Sequence, residues 1–308
     1  MRVILAAACA LCVLAMPAAV HGWGLDVHRF LTRRALTGLP PELKPFFDEQ
    51  RDFVSERAAD PDMWRVAALR TDIGDEDPNH FLDIDALDEP APFSNVPRTW
   101  EGLVTKYGLE RATKAGRLPW RAEEMYNRLV GHFRDMGRPN GPGYAGDNAR
   151  YIAAVLSHYL EDAHQPLHAT GNYDGQLTNQ NGIHSRFETA LVLRNLPTLN
   201  LAPVAIRPIG NIREFMFATI VESQSLVAPL LAADRKATEG LEFYDDAYFA
   251  ALLTGVRPIL EKRLSDSASA VASVIVQAWK EAGSPTMAVN AGPRPPARIR
   301  RAPAAPPK

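Results

Sequence analysis

The stretch NARYIAAVLSHYLEDAHQPLHATGN, residues 148–172, decides how the rest of the chain reads. Apolar positions recur at helical spacing through its first two thirds, and the periodic segment runs from about 145 to 165. That spacing sets His158 and Asp162 one turn apart on one face. Pro166 disfavours helix at Gln165, and the turn that follows is placed to bring His168 back toward the same point. A helix that turns a nitrogen, a carboxylate and a second imidazole to one place is a candidate metal ligand set.

Outward from this core, further periodic segments predict helices over 26–38, 49–66, 97–113, 118–136, 183–194, 209–233 and 242–282. Few stretches alternate with the period of a half-buried strand; TLNLAPVAI, 198–206, is the best exception and reads equally as extended loop. The fold class expected is all-α, a single mainly helical domain with long connections around 67–96 and 169–182. Long loops in a compact domain are often functional, and these hold aspartates, asparagines and glycines. On the 183–194 helix, GIHSRFE repeats the four-residue spacing with His184 and Glu188. One such pair is commonplace on a helix surface. Two pairs, with His168 beyond a helix-ending proline, suit zinc bound by nitrogen and oxygen. Asp60 and Asp62 in AADPDMWR, and His80 in DPNHFLDID, would each alone read as a cap or a loop residue.

The ends and the composition bound the setting. Met1 and Arg2 precede VILAAACALCVLAMPAAV, 3–20, which reads as a secretory signal peptide rather than a membrane anchor because Pro17 and AAVHG resemble a peptidase site. A cut after Ala19 or after Gly22 satisfies the small-residue rule. Both cysteines, Cys9 and Cys12, lie in this leader, so an exported chain would have no disulfide and no thiolate ligand. The domain division expected is a leader over 1–22, a catalytic domain over 23–290 and a Pro/Ala/Arg-rich disordered tail over 291–308. No repeat is apparent, and no later segment reads as apolar enough to span a membrane. With 34 basic and 36 acidic residues the net charge is −2, which leaves no global basic surface for a nucleic-acid duplex.

HYLEDAHQPLH, 158–168, resembles the signature of the zinc-dependent phospholipase C and single-strand-specific nuclease superfamily, His-aromatic-x-Gly-Asp-x-x-x-Pro-x-His, with Glu161 in place of the glycine. The resemblance extends in order along most of the chain. Trp23 and His28 match an N-terminal WG-x-x-x-H, Asp60 in AAD and His80 in HFLD follow, and GIHSRFE supplies the last two positions. It implies an all-helical fold around a cleft with three zinc ions. One ion would be held by Asp60, His80, His158 and Asp162, and a second by His168, His184 and Glu188. The third would take the α-amine and carbonyl of Trp23, His28 and the other oxygen of Asp162. Asp62 is a credible substitute for Asp60. A peptide nitrogen is a poor ligand whereas a free α-amine with a pKa near 8 deprotonates readily on zinc. Ligation by Trp23 therefore selects the cut after Gly22.

The reaction implied is hydrolysis of a phosphodiester by zinc-activated water, with Asp162 bridging two ions and Asp60 doubling as proton acceptor. Phe81 is the aromatic expected against substrate; Trp64, Trp120 and His132 are expected to be structural, and His164 to support the site or pack. HSRFE and the HY of the central motif are similar to the phospholipase branch, while the five-residue step from Trp23 to His28 resembles the nuclease branch. The balance favours a secreted or periplasmic phospholipase C-like enzyme acting on phospholipid. The alternative is a single-strand-specific nuclease or 3′-nucleotidase acting on single-stranded nucleic acid, and a non-catalytic zinc-binding protein is the third reading. No stable protein partner is implied.

Overall fold

In the computed structural model, residues 23–65 and 75–287 are described. The leader, its cut site and the 291–308 tail lie outside them. The described residues are mostly helical and contain no strand. The principal helices are α1 (Leu25–Thr37), α2 (Lys44–Asp48), α3 (Arg51–Arg57), α4 (Asp60–Met63), α5 (Trp100–Tyr107), α6 (Leu109–Ala115), α7 (Leu118–Gly137) and α8 (Ala145–Ala163). They continue with α9 (183–195), α10 (Ile212–Ser225), α11 (Val227–Ala237) and α12 (Asp246–Glu281).

α8 is the centre. Every residue from Ala153 to Ala163 is buried, because α7, α12, α1, α3 and α10 pack around it. A helix surrounded in this way must be apolar on all sides or find internal partners for its polar groups. α8 carries Ser157, His158, Glu161 and Asp162 inside, and their partners form the site described below.

Several expected helices are divided, for local reasons. The 97–113 segment breaks at Gly108, whose φ of +81° ends α5 and opens α6. The 49–66 segment becomes α3 and α4, with Pro61 at the start of the second. The 209–233 segment becomes α10 and α11, joined at Leu226. By length and composition Ile212–Ala237 is apolar enough to cross a bilayer, which the sequence reading did not register. Here its buried residues, among them Met216, Phe217, Ile220 and Leu230, face α7, α8 and α12 in the core. Helix starts are capped as side-chain chemistry predicts: Thr99 accepts from Gly102, Asn211 from Glu214, and Asp245 from Ala247 and Tyr248.

The strand-like segment 198–206 is an extended strap laid along α12. Its backbone N–H groups have no sheet partner and donate to side chains one turn apart on the helix. Asn200 donates to Glu261, Ala202 to Ser265, Ala205 to Ser269, Arg207 to Ser273, and both Ile209 and Gly210 to Gln277. The strap also crosses α1. Arg34 donates to the carbonyls of Leu201 and Ala202, and Val204 sits where a Cβ on Gly38 would fall.

Candidate metal centre

Eight candidate ligands converge near the C-terminal end of α8, all of them buried. They form three groups, the first two sharing His158: His28, His158 and Asp162; Asp62, His80 and His158; and His168, His184 and Glu188. These groups could hold metal ions.

With Asp162 added, the middle group sets four donors 2.9–3.9 Å apart along the pairs that follow. His80 Nδ1 lies 2.9 Å from His158 Nε2 and 3.0 Å from Asp162 Oδ2, and His158 Nε2 lies 3.2 Å from Asp162 Oδ2. Asp62 Oδ1 is 3.7 Å from His80 Nδ1 and 3.9 Å from His158 Nε2. An ion with nitrogen and oxygen ligands at about 2.0–2.1 Å in tetrahedral geometry has donor–donor edges of about 3.3–3.4 Å, which is the middle of this range. The other oxygen of Asp162 is 3.5 Å from His28 Nε2 and 3.7 Å from His168 Nδ1. Asp162 thus faces His80 and His158 with one oxygen and His28 Nε2 with the other.

In the third group His184 Nε2 lies 2.8 Å from Glu188 Oε2 and 3.2 Å from His168 Nε2. His184 and Glu188 share a face of α9, whose middle, Arg186–Leu191, is π-helical. Such wide turns recur at functional sites. Gln165 donates to Glu188 Oε2 at 2.9 Å.

The outward nitrogens carry a second pattern. His158 Nδ1 donates to the Ala58 carbonyl, His168 Nδ1 to that of His80, and His184 Nδ1 to that of Tyr173. His28 Nδ1 meets the Glu161 carboxylate at 2.6 Å. Four imidazoles therefore have Nδ1 committed outward and Nε2 turned inward, the arrangement in which an acceptor behind the ring fixes the tautomer that a cation needs. His80 is reversed, with Nδ1 inward and Nε2 3.9 Å from Glu76. Behind it, the Tyr159 hydroxyl donates to Glu76 at 2.5 Å and accepts from Arg121 at 3.1 Å.

Buried polar atoms normally find partners. Here His28 Nε2, His80 Nε2, Asp62 Oδ2 and Asp162 Oδ1 have none, and all four belong to this cluster. Protons take the place of a cation in the electrostatics. Burial disfavours the His28 imidazolium, yet the Asp162 and Glu161 carboxylates outweigh it and push the group up to about 10. Burial pushes Glu188 up to about 7, against the pull of His184. Burial takes His168 down to about 3 despite Asp162. Asp162 is held well below the usual carboxylate range: burial opposes its charge, but His158, His168 and His28 prevail. A buried donor set of this chemistry, nitrogen and oxygen only, with His28 Nε2 and Asp162 Oδ1 left without hydrogen bonds, fits a zinc-like cation.

The structure brings together His28, His80, His158, Asp162, His168, His184 and Glu188 from the expected set. It does not bring Asp60. The Asp60 carboxylate is partly exposed, 3.5 Å from Arg57 and bonded to Tyr151, while Asp62 takes the place by His80 and His158. Two residues along a helical turn are rotated by about 200°, so α4 presents one of the pair and turns the other away. Just ahead of α4, the Ala58 carbonyl accepts from His158 Nδ1. Trp23 is wholly buried beside the cluster, its indole donating to the Glu161 carbonyl at 2.8 Å; the cut that would free its amine lies outside the described residues. Phe81 is half-buried, its carbonyl and ring edge close to Gly116. Trp64 and Trp120 pack against the core, as expected. His164 packs inward, Nδ1 on the Leu160 carbonyl, at the end of α8. In the sequence Glu161 was marked only as a departure from the signature, with no role, and the Glu76–Tyr159–Arg121 support had no local signal.

No family model matches the chain, and no curated protein matches it by sequence.

Proposed function

We propose that the protein is an exported zinc-dependent phosphodiester hydrolase, phospholipase C-like, with three zinc ions in the cluster and a mature chain that begins at Trp23. The observation that carries the proposal is the donor arrangement: His80 Nδ1 and His158 Nε2 meet one oxygen of Asp162 and His28 Nε2 faces the other, with His168, His184 and Glu188 grouped beside them. His80, His158, Asp62 and Asp162 would hold one ion, His168, His184 and Glu188 the second, and His28, Asp162 and the Trp23 amine the third. When bound, the ions would supply an activated water at neutral pH and stabilise charge growing on the phosphoryl oxygens.

The chain's own groups do the positioning. The carbonyls of Ala58, His80 and Tyr173 hold three rings in place, and Gln165 orients Glu188. Asp62, at the edge of the ligand set, takes the proton-accepting role that the sequence assigned to Asp60. The glutamate that ends HSRFE supports the phospholipase branch. The five-residue step from Trp23 to His28 supports the alternative, a single-strand-specific nuclease or 3′-nucleotidase.

One preparation decides between them. Zinc-loaded protein is assayed on phosphatidylcholine and lysophospholipid and on single-stranded DNA and RNA, with and without chelator. Chelator-sensitive release of a phosphorylated head group is expected. Cleavage of nucleic acid alone would move the protein to the second branch, and no turnover of either substrate would leave a non-catalytic zinc protein.

A further inference from the structure

Glu161 stands where the resembling signature has glycine, and nothing in the proposed reaction requires a carboxylate there. It is nonetheless wholly buried. Burying a carboxylate costs several kcal/mol unless it is paired and hydrogen-bonded. Its partners are specific. His28 Nδ1 lies 2.6 Å from Oε2, and the Thr32 hydroxyl donates to Oε1 at 2.8 Å. Ser157 Oγ lies 2.7 Å from Thr32 Oγ1. His28 and Thr32 are one turn apart on α1, and Ser157 and Glu161 one turn apart on α8, so two four-residue pairs close against each other across the helix interface. The same residue's backbone carbonyl receives the Trp23 indole. Both N-terminal candidate ligands are therefore fastened to residue 161, one by its side chain and one by its main chain.

We propose that Glu161 is a positioning residue for the metal shared by His28 and Asp162: its carboxylate accepts the Nδ1 proton of His28 and so holds the ring with Nε2 toward Asp162. The inference rests on the metal reading above, but not on the substrate or on turnover. A carboxylate behind a ligating histidine fixes ring and tautomer and raises ligand basicity, and loss of such a partner typically weakens metal affinity 10–100-fold. The other three inward Nε2 histidines use backbone carbonyls for this purpose, which no substitution removes. His28 alone depends on a side chain that can be changed.

The test is zinc binding to chelator-stripped protein, titrated in competition with a fluorescent chelator. The variants are Glu161→Gln, which keeps the shape, Glu161→Gly, His28→Ala, and the double variant Glu161→Gln with His28→Ala. The expected result is one weakened zinc equivalent, by about 10-fold in Glu161→Gln and up to about 100-fold in Glu161→Gly. The remaining equivalents should keep their affinity, and Glu161→Gln should add nothing once His28 is alanine. Unchanged affinities in Glu161→Gln, equal weakening of every equivalent, or the same loss in the His28→Ala background would overturn the proposal. So would a wild-type protein from which His28→Ala removes no equivalent. Glu161→Gln decides alone if the glycine variant does not fold. Failure of the hydrolase reading would appear in turnover and leave these affinities where they are.

Discussion

Asp60 and Asp62 differ by two positions and by their whole environment. Asp62 is buried against His80 and His158, with Arg65 Nη1 3.2 Å from the same Oδ1, whereas Asp60, partly exposed, meets Arg57. On the proposed zinc hydrolase reading, Asp62→Asn should remove tightly bound zinc and cut hydrolysis by at least about 100-fold, while Asp60→Asn should leave both within about twofold. Metal analysis of the purified variants, beside their activity, checks it; equal losses in the two would return Asp60 to the site. This distinction was not legible in the sequence. Both carboxylates flank Pro61 in the same short segment, and which one turns inward depends on how α4 packs against α8, far along the chain. Glu161 was hidden for the same reason, because its meaning comes from His28 and Thr32 on another helix. His158 with Asp162, and His184 with Glu188, were legible because each pair lies on one helix, where spacing alone decides the face.

At the scale of elements, the segment that carries His80 has only two short 3-10 turns, Asp77–Asn79 and Ile84–Leu87, and is held by its neighbours. Arg117 N–H donates to the Pro78 carbonyl, Leu118 to that of Phe81, and Asp83 to that of Ala115. Gly116 sits inside this clamp at a φ of +107°, and a Cβ there would overlap the Phe81 carbonyl. Gly116→Ala should destabilise the fold by about 1–3 kcal/mol and loosen zinc at His80. A thermal melt with the metal removed, compared with a zinc titration, separates the two effects; an unchanged melting temperature would contradict the geometry. The serines of α12 support a second expectation. Ser269→Ala should cost about 1 kcal/mol by stranding the Ala205 N–H, and Ser265→Ala with Ser269→Ala about twice that. Denaturant unfolding reads both. The strap was visible in sequence as a strand-like stretch and its partner only as a periodic helix over 242–282. Their pairing was not visible, since the rules for strands look for other strands.

For the molecule as a whole, the protons held in the metal-free cluster set how stability follows pH. His28, up at about 10, and Glu188, at about 7, keep a proton that the unfolded chain has lost above pH 6.5. Asp83, pushed up to about 8 by burial and by Asp85, does the same. All three folded values are raised, so the folded state binds more protons between pH 6.5 and 10, and stability must fall as pH rises through that window. A cation displaces these protons, so its stabilising effect must grow over the same range. Melting curves with zinc and with chelator at pH 6.5 and 8.5 should therefore diverge as pH rises. A constant gap would mean that the cluster does not exchange protons for metal. The helical class and the central place of 145–165 were legible here because apolar periodicity reports burial directly. The division of long segments at Gly108 and Leu226 was less so, because helix breaks depend on what packs across them.

The ladder between the strap and α12 also fixes a length relation between two kinds of backbone. A four-residue step along a helix advances about 6.0 Å, and a two-residue step along an extended chain about 6.6 Å. The two rulers are nearly commensurate, so a rung can recur at every helical turn with the strap only slightly slack. Pro203 has no N–H, and at that point the strap spends three residues on one rung, from Ala202 to Ala205. The pairing thus behaves as a vernier. Inserting one residue into α12 between Ser265 and Ser269 would turn every later rung by about 100° and disconnect that half of the strap. Inserting four in the helix and two in the strap would restore the match, so change in these segments is constrained to come in unequal, coupled lengths.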